Sequence, residues 1–218
     1  MNFENCFPIW SKLTSAERGM FTHSAIHHKL SSGTLTFSAS SDCLGLILIG
    51  SGRLRIFISS EDGKELTLFR LFPQDICLLS AACIVKDMEL NISIEAEKPS
   101  EIWIMPSSTC KEIMSQSITF SSYLNQIMFS RIAKILQLFE AVMWESVDKR
   151  LAAFLLEERH IEKNDTLKIT HEKIANHMGT AREVVTRTLK AFQSKKLVQL
   201  SRGSITLTDI DQLLELSE

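Results

Sequence analysis

The feature that most restricts the fold of this chain is a pair of short helical segments separated by one glycine. Thr170 can cap the first segment, which runs to about Met178 with an apolar face. Gly179 then supplies a tight turn, and Thr180 opens the second segment. The letters TARE predict a capping box, in which this Thr accepts from the amide of Glu183 while the Glu side chain returns a bond. Two short helices around a glycine turn predict a helix-turn-helix.

The second helix carries polar side chains apart from its apolar stripe of Val185, Leu189 and Phe192. In the second helix of such a motif, polar residues meet base edges in the major groove, where arginine chelates guanine and glutamate accepts from cytosine. An ordinary surface ion pair on a protein-binding helix is the alternative interpretation. Glu183, Thr186 and Arg187 lie at i, i+3 and i+4 on one face of this helix, and Arg182 borders that face. The predicted base contacts are therefore Arg182, Glu183, Thr186 and Arg187.

The segment KKLVQLSRGSITLTD follows the second helix and predicts two strands joined by an Arg-Gly turn. A strand pair in this place is the wing of a winged helix. Capping threonines and wing cations are suited to the DNA backbone, because phosphate oxygens accept bonds from hydroxyls, amides and basic side chains. The predicted phosphate contacts are Thr170, Thr180, Lys195, Lys196 and Arg202.

The charge distribution agrees with a polyanion partner, although the formal net charge of the whole chain is only −2. Between Thr166 and Thr208 there are eight basic and two acidic residues, a formal charge of +6. The remainder of the chain is acidic, with 24 acidic against 16 basic residues. One basic region on an acidic body indicates where a polyanion docks.

The N-terminal half has the pattern of strands and not of helices. Short alternating or apolar runs, broken by turn residues, extend from about Lys29 to Met105. The clearest hairpin is GRLRIFISSEDGKELTLFRLF, with its turn at Asp62-Gly63. These runs predict a compact antiparallel roll. The segment before them, residues 11–28, is expected to be helical.

Between residues 117 and 144 the hydrophobic period changes to helical, with apolar residues at steps of 4, 3, 4 and 3. We expect one long helix that contacts both the roll and a second copy of itself; a core helix packed on its own roll is the alternative. Ser146 can cap a new helix. The predicted domains are therefore 1–116, 117–145 and 146–218. The predicted dimer seam is Met128, Ile132, Ile135, Phe139 and Val142.

This organisation resembles the Crp–Fnr superfamily of bacterial transcription regulators over nearly the whole chain. The most specific segment is IANHMGTAREVVTRTLK, followed by the wing, and the roll hairpin also fits the family pattern. The resemblance implies an α+β fold: an antiparallel β-roll like a cyclic-nucleotide-binding domain, a long dimerisation helix and a winged helix-turn-helix. It implies a homodimer that binds double-stranded DNA at a two-fold symmetric site, with RNA polymerase as a further partner of an activator. The family's R-E-x-x-x-R residues map onto Arg182, Glu183 and Arg187.

The ligand segment departs from the family's cyclic-nucleotide binders. Their P-G-D-x-x-G-E stretch and following Arg-Ser or Arg-Ala pair correspond here to PQDICLLSAACIVKD, with Gln74 in place of the Gly and without the Glu and Arg. Cyclic AMP is therefore not expected. An iron–sulfur cluster is not expected either, since Cys6 is the only cysteine near the N-terminus. Haem would need axial ligands such as His23, His27 or His28, which nothing in the sequence orients.

Cys77 and Cys83, with Ser80 between them, lie in the segment that receives the signal in the family. A thiol pair there could respond to oxidants, electrophiles or a soft metal. Two core cysteines are the alternative, because free cysteine is commonly buried. A small organic ligand, or no ligand at all, stays equally open. The effector, the DNA site and the choice between activation and repression do not follow from the sequence.

Two further hypotheses concern the roll. A cupin-like metal-dependent enzyme would require histidines along the strands, and residues 29–105 contain none. A roll without a sensor function would leave a constitutive DNA-binding dimer. Five cysteines without framework spacing, no signal peptide and no apolar run of about 20 residues favour a cytoplasmic, non-membrane protein.

Overall fold

A computed structural model describes residues 2–37, 45–78 and 92–218 of the chain. These residues form two compact units. The first comprises Met1–Ile58 and Leu68–Leu136, and the second comprises Ser59–Thr67 and Gln137–Glu218. Within the described ranges, no helix combines the length and the apolar character that crossing a bilayer requires.

The first unit begins with short helices, continues as an antiparallel sheet and ends in two helices. A single 3₁₀ turn, Trp10–Lys12, lies between the first two helices. In chain order the elements are α1 (Phe3–Cys6), α2 (Ser15–Ser24), β1 (Ile26–Leu30), β2 (Leu35–Phe37), β3 (Leu46–Ser59), β4 (Glu65–Leu71), β5 (Ile76–Cys77), β6 (Ile92–Met105), α3 (Ser107–Gln116) and α4 (Ile118–Trp144). The last residue of β3, the first three residues of β4 and the C-terminal end of α4 belong to the second unit.

The sheet confirms the predicted antiparallel roll. Its strand order is β1-β6-β3-β4, with β2 also paired to β6 and β5 to β3. The two long strands β3 and β6 change register between Ile49 and Leu54. Gly52 has a φ of +87° there, and a Cβ at this position would overlap Ser100. The Ser100 hydroxyl instead accepts the amide of Arg53 at 3.0 Å, so the strands bend without leaving that amide unpaired.

The expected helix over residues 11–28 is confirmed for Ser15–Ser24 and is wrong over its last four residues. Thr14 caps α2 through a capping box with Glu17, but the helix ends at Ser24. The chain then becomes extended, and Ile26 pairs with Ile104 of β6. A strand partner about 80 residues away decides this conformation, and local sequence does not contain that information.

Two apolar clusters hold the first unit together. One lies within the roll and includes Ile47, Ile56 and Cys77. The other joins the N-terminal aromatic residues to α4, with the rings of Phe21 and Phe120 at 5.1 Å in an edge-to-face arrangement. Such ring pairs add to the free energy of burial because the positive edge of one ring faces the negative face of the other.

Helix α4 confirms the predicted long helix, but it is buried on one side only. Phe120 and Leu124 are buried, and Ile127 and Ile135 pack against the two clusters of the first unit. Ile135 of the predicted seam therefore contacts the roll. The remaining apolar surface of α4 is exposed, and its large members are Ile118, Met128, Phe129, Ile132, Leu136, Phe139, Val142, Met143 and Trp144.

The second unit contains the C-terminal helices and a small sheet of strand order β7-β9-β8. Ser146 caps its first helix by accepting the amide of Lys149 at 3.2 Å, as predicted. In the same unit, Leu66 of the hairpin segment forms an isolated β-bridge with Met178. The elements are α5 (Val147–Glu162), β7 (Thr166–Leu167), α6 (His171–Met178), α7 (Arg182–Ser194), β8 (Val198–Ser201), β9 (Ser204–Leu207) and α8 (Ile210–Ser217).

Candidate nucleic-acid interface

Helix α6 and its following turn have the predicted form. The Thr170 hydroxyl accepts the amide of Lys173 at 3.2 Å, which caps the helix. At the other end Gly179 has a φ of +65°, and its amide bonds the carbonyl of Ala175. The amide of Thr180 bonds the same carbonyl at 3.1 Å. The carbonyl of Ala175 therefore accepts two amides at the end of the helix, and a residue without a Cβ sits at the left-handed position.

The predicted capping box of Thr180 and Glu183 is wrong. Helix α7 begins one residue later, at Arg182, with Ala181 as its N-cap and no side-chain capping bond. The physical reason is that the backbone of Thr180 closes α6. Ala181 is then the extended residue whose carbonyl accepts the amides of Val184 and Val185.

The buried stripe of α7 is confirmed, because Val185, Leu189 and Phe192 are fully buried in the core of the second unit. Thr188, also buried, donates its hydroxyl to Asp148 on α5 at 3.3 Å. This second attachment, which the sequence did not indicate, fixes the rotation of α7 about its axis. The opposite face of the helix is therefore presented in one defined orientation within the unit.

That opposite face brings the predicted base-contact residues together. They line one shallow, open depression, whose lining contains three basic side chains and one carboxylate. Lys190 joins the predicted set, and its position three residues after Arg187 is the signal that could have identified it. The lining residues are Arg182, Glu183, Thr186, Arg187 and Lys190.

His171, the first residue of α6, also reaches this face, and the sequence analysis missed it. Its Nδ1 lies 2.9 Å from the hydroxyl oxygen of Thr186. Burial, and secondly the positive charge of Arg182, lower the pKa of His171 below its ordinary value of 6.5. The lowered pKa favours the neutral imidazole at pH 7. The signal was present, since the start of the first helix faces the second helix in this motif.

The predicted phosphate contacts lie on several elements of the same unit. Lys195 is the C-cap of α7, about 20 Å along the axis from Arg182, and Lys196 follows with a φ of +61°. Arg202 is exposed in the wing turn, where Ser201 pairs with Ser204 and Gly203 has a φ of +75°. The strand, Arg-Gly turn and strand of the predicted wing are confirmed.

Of the predicted signal residues, Cys77 alone lies within the described ranges; Ser80 and Cys83 lie outside them. Cys77 pairs with Ile47 in the sheet and is 1% exposed within the apolar roll cluster. Gln74, where the family has glycine, adopts a φ of +74°, and its amide bonds the carbonyl of Ile49 at 2.8 Å. The left-handed turn is therefore kept without the glycine.

The other candidate ligands of the first unit lie on three elements, α1, α2 and β1. His23 lies on α2 with Nδ1 at 2.6 Å from the Gly19 carbonyl, whereas His27 and His28 lie on β1. Cys6 is buried in the aromatic cluster, which raises the pKa of its thiol. In the part of the chain that the structure describes, no three His, Cys, Asp or Glu side chains approach one another closely enough to hold a metal ion.

Comparison with protein-family models finds a cyclic nucleotide-binding domain over residues 27–117 and a Crp-like helix-turn-helix domain over residues 149–216. These ranges correspond to the roll with its adjoining helix and to the second unit's C-terminal elements. The match of two independent models, in this order, reproduces the arrangement that the sequence predicted.

Comparison with individual proteins agrees with these two domain matches. A transcriptional regulator of the crp/fnr family from Eubacterium rectale is 46% identical, covers 98% of this chain and 99% of its own, and superimposes with a TM-score of 0.93. The Cyclic AMP receptor protein of Thermus thermophilus is 23% identical over 172 residues, 79% of either chain. The Anaerobic regulatory protein of Haemophilus influenzae is 24% identical over 189 residues, 83% of this chain and 72% of that protein. The chain belongs to the Crp–Fnr family of DNA-binding transcription regulators.

Proposed function

We propose that this protein is a cytoplasmic homodimer that reads a two-fold symmetric DNA site through the polar face of α7. The observation that carries this proposal is the depression in which Arg182, Glu183, Thr186, Arg187 and Lys190 converge. Its net positive charge suits a polyanion, and its arginines and glutamate are side chains that discriminate base edges. Arg187 reads a guanine, Glu183 contacts the cytosine side, and Arg182 contacts a base or a phosphate.

The backbone contacts belong to the helix caps and the wing. Thr170 and Thr180 contribute hydroxyl groups, and Lys195, Lys196 and Arg202 contribute exposed cations. These groups fix the register of the protein on the duplex and carry no sequence information of their own. They also make the affinity fall steeply with salt, because each neutralised phosphate releases counterions.

The exposed face of α4 supports dimerisation. One line of its exposed apolar residues follows steps of 3, 4, 3 and 4, which is a heptad seam. We propose this line as the dimer seam: Phe129 (73% exposed), Ile132 (46%), Leu136 (61%), Phe139 (62%) and Met143 (54%). It shares Ile132 and Phe139 with the seam predicted from sequence, and Met128 and Val142 flank it. In a two-fold dimer the half-sites lie about 34–36 Å apart.

The roll acts as the sensor, and its signal shifts an equilibrium between arrangements of the winged helices. A small ligand is the more favoured signal, because the thiol of Cys77 is buried among apolar side chains. Such a thiol is poorly accessible to oxidants. If the protein activates transcription, RNA polymerase is its further partner.

The test of DNA reading compares two affinities at one fixed salt concentration: for a site enriched from random duplexes and for an unrelated duplex. Arg187→Ala should weaken binding to the enriched site by about 1–3 kcal/mol and leave nonspecific binding nearly unchanged. Arg202→Ala, the matched control in the wing, should weaken both affinities by a similar small factor. If Arg187→Ala lowered both affinities equally, the proposal that this residue reads a base would be wrong.

The test of the signal uses the same enriched site. Reduced protein and protein after mild thiol oxidation are compared, with Cys77→Ser and Cys83→Ser as variants. An affinity that oxidation leaves unchanged supports a small ligand. A large change that either variant abolishes would establish thiol sensing. An affinity that responds neither to oxidation nor to any small molecule added to the protein would indicate a constitutive dimer.

A further inference from the structure

The hydroxyl of Thr186 is held by two partners on the polar face of α7. Its oxygen lies 2.9 Å from the carbonyl oxygen of Arg182, one helical turn earlier. It also lies 2.9 Å from Nδ1 of His171 on α6. Both contacts join residues within the second unit, so the side chain of Thr186 is fixed before any DNA is bound.

The proton positions follow from the chemistry of the partners. A carbonyl oxygen can only accept, so the single proton of the Thr186 hydroxyl goes to Arg182. The hydroxyl oxygen must then accept from His171, which requires the proton of the imidazole to be on Nδ1. The reverse arrangement would place two oxygens 2.9 Å apart without a proton between them.

The consequence is that Thr186 has no proton left to donate to a base. What it can still offer the major groove is one acceptor lone pair, which cannot serve the thymine O4 acceptor, and its methyl group. A threonine methyl contacts the 5-methyl group of thymine. We propose that Thr186 recognises thymine through this apolar contact, and that His171 is the positioning residue that keeps the Thr186 rotamer fixed. This inference rests on the proposed function, because it assumes that α7 enters the groove.

The local geometry explains why His171 can act in this way. Thr170 caps α6 in an extended conformation, which starts the helix at His171. The turn at Gly179 then returns the chain, so the first residue of α6 lies beside the middle of α7. The His171 side chain therefore bridges two helices whose relative placement is set by the buried core, including Ile174 and Val185.

The experiment replaces thymine by deoxyuridine, one position at a time, across the enriched site. This change removes only the 5-methyl group. Each half-site should contain one thymine whose replacement weakens binding of the wild-type protein about fourfold. This is the factor that burial of one methyl group supplies, and it applies to replacement in one half-site at a time. Replacements outside the half-sites control for changes in duplex flexibility and should have no effect.

Two variants of Thr186 separate the methyl group from the hydroxyl. Thr186→Val keeps a methyl group and should retain the thymine preference, whereas Thr186→Ser keeps the hydroxyl and should lose it. The inference is overturned if Thr186→Ser retains the preference, if no thymine position responds in the wild type, or if the enriched half-site contains no thymine.

Two variants of His171 test the positioning role. In His171→Asn the amide nitrogen occupies the place of Nδ1 and can still donate, so the fourfold preference should persist. In His171→Gln the amide reaches the place of Nε2 instead, and the preference should fall toward one. In a Thr186→Val background both variants should behave alike, because no hydroxyl is left to hold. Equal preference in His171→Asn and His171→Gln would overturn the positioning role.

The failure of this inference is distinguishable from failure of the proposed function. Specific binding that depends on Arg187 but shows no thymine preference overturns the inference alone. Absence of specific binding by the wild-type protein under every signal condition overturns both. Circular dichroism and thermal unfolding of each variant confirm that the second unit is folded in the samples compared.

Discussion

Helices α4 and α7 each leave one face exposed, and the two faces differ in chemistry. Along α4 the exposed face is apolar, with Phe129 at 73% and Phe139 at 62% exposed. Along α7 every large apolar residue of the stripe is buried, and the exposed face carries charges. Because apolar surface is stabilised by removal from water and charged surface by an opposite charge, the two faces require different partners. A second copy of the chain suits α4, and a polyanion suits α7.

The largest effect is expected when the chemistry of α4 is reversed. Phe139→Glu places a carboxylate in the proposed seam and should weaken self-association by about 3 kcal/mol, more than 100-fold, because the charge must be desolvated beside apolar residues. Sedimentation equilibrium measures the change. Lys134→Glu places a carboxylate at an exposed position of α4 outside the seam, and it should leave the dimer intact although its change in net charge is twice as large. Dissociation of both variants would mean that net charge, and not the seam, controls assembly.

The charged face of α7 depends on the turn that precedes it. Gly179→Ala forces a Cβ into the left-handed region, at a φ of +65°, where it would also lie 3.0 Å from Leu66 Cδ1. We expect a loss of at least about 1 kcal/mol in the free energy of unfolding, seen in urea titrations. Gly19→Ala is the matched control, since it lies within α2 with open space around it and should stabilise slightly. Equal effects would indicate that the turn carries no conformational constraint.

A smaller effect distinguishes the two faces by salt. Lys195→Gln should reduce the slope of log K for DNA against log salt by about 0.9, provided that this lysine contacts one phosphate. Self-association through α4 should change little over the same salt range, because the seam is apolar. If the association constant of the dimer fell with salt as steeply as that of the DNA complex, the two faces would not differ in chemistry as proposed.

The smallest expected effect concerns pH. The pKa of His171 lies below 6.5 in the folded chain because of burial and the nearby Arg182. Its contribution to stability is therefore complete above pH 6.5 and declines as the pH falls toward the lowered pKa, since the unfolded chain takes up the proton first. Urea unfolding at about pH 7.5 and about pH 5.5 should show a smaller loss in His171→Asn than in the wild type. The same loss in both proteins would assign the pH dependence to other groups.

Local signals predicted most elements of both units. The caps at Thr170 and Ser146, the glycines at the turns and the change of hydrophobic period each act within a few residues, so the sequence contains the whole cause. Because these signals are local, they also explain which predictions were wrong. A threonine and a glutamate three residues apart suggested a capping box at Thr180, but closure of α6 occupied that residue. Residues 26–28 lacked any local sign of their pairing with β6.

The sequence by itself determined the order of the parts and the polar character of α7, because periodicity, caps and charge are properties of neighbouring residues. Only the tertiary structure decided which apolar line of α4 is left uncovered, since Ile135 and Leu136 are adjacent in the chain and only Ile135 packs against the roll. It also brought His171 to Thr186 across 15 residues. Both outcomes depend on the packing of distant elements, which sets the orientation of a helix about its axis.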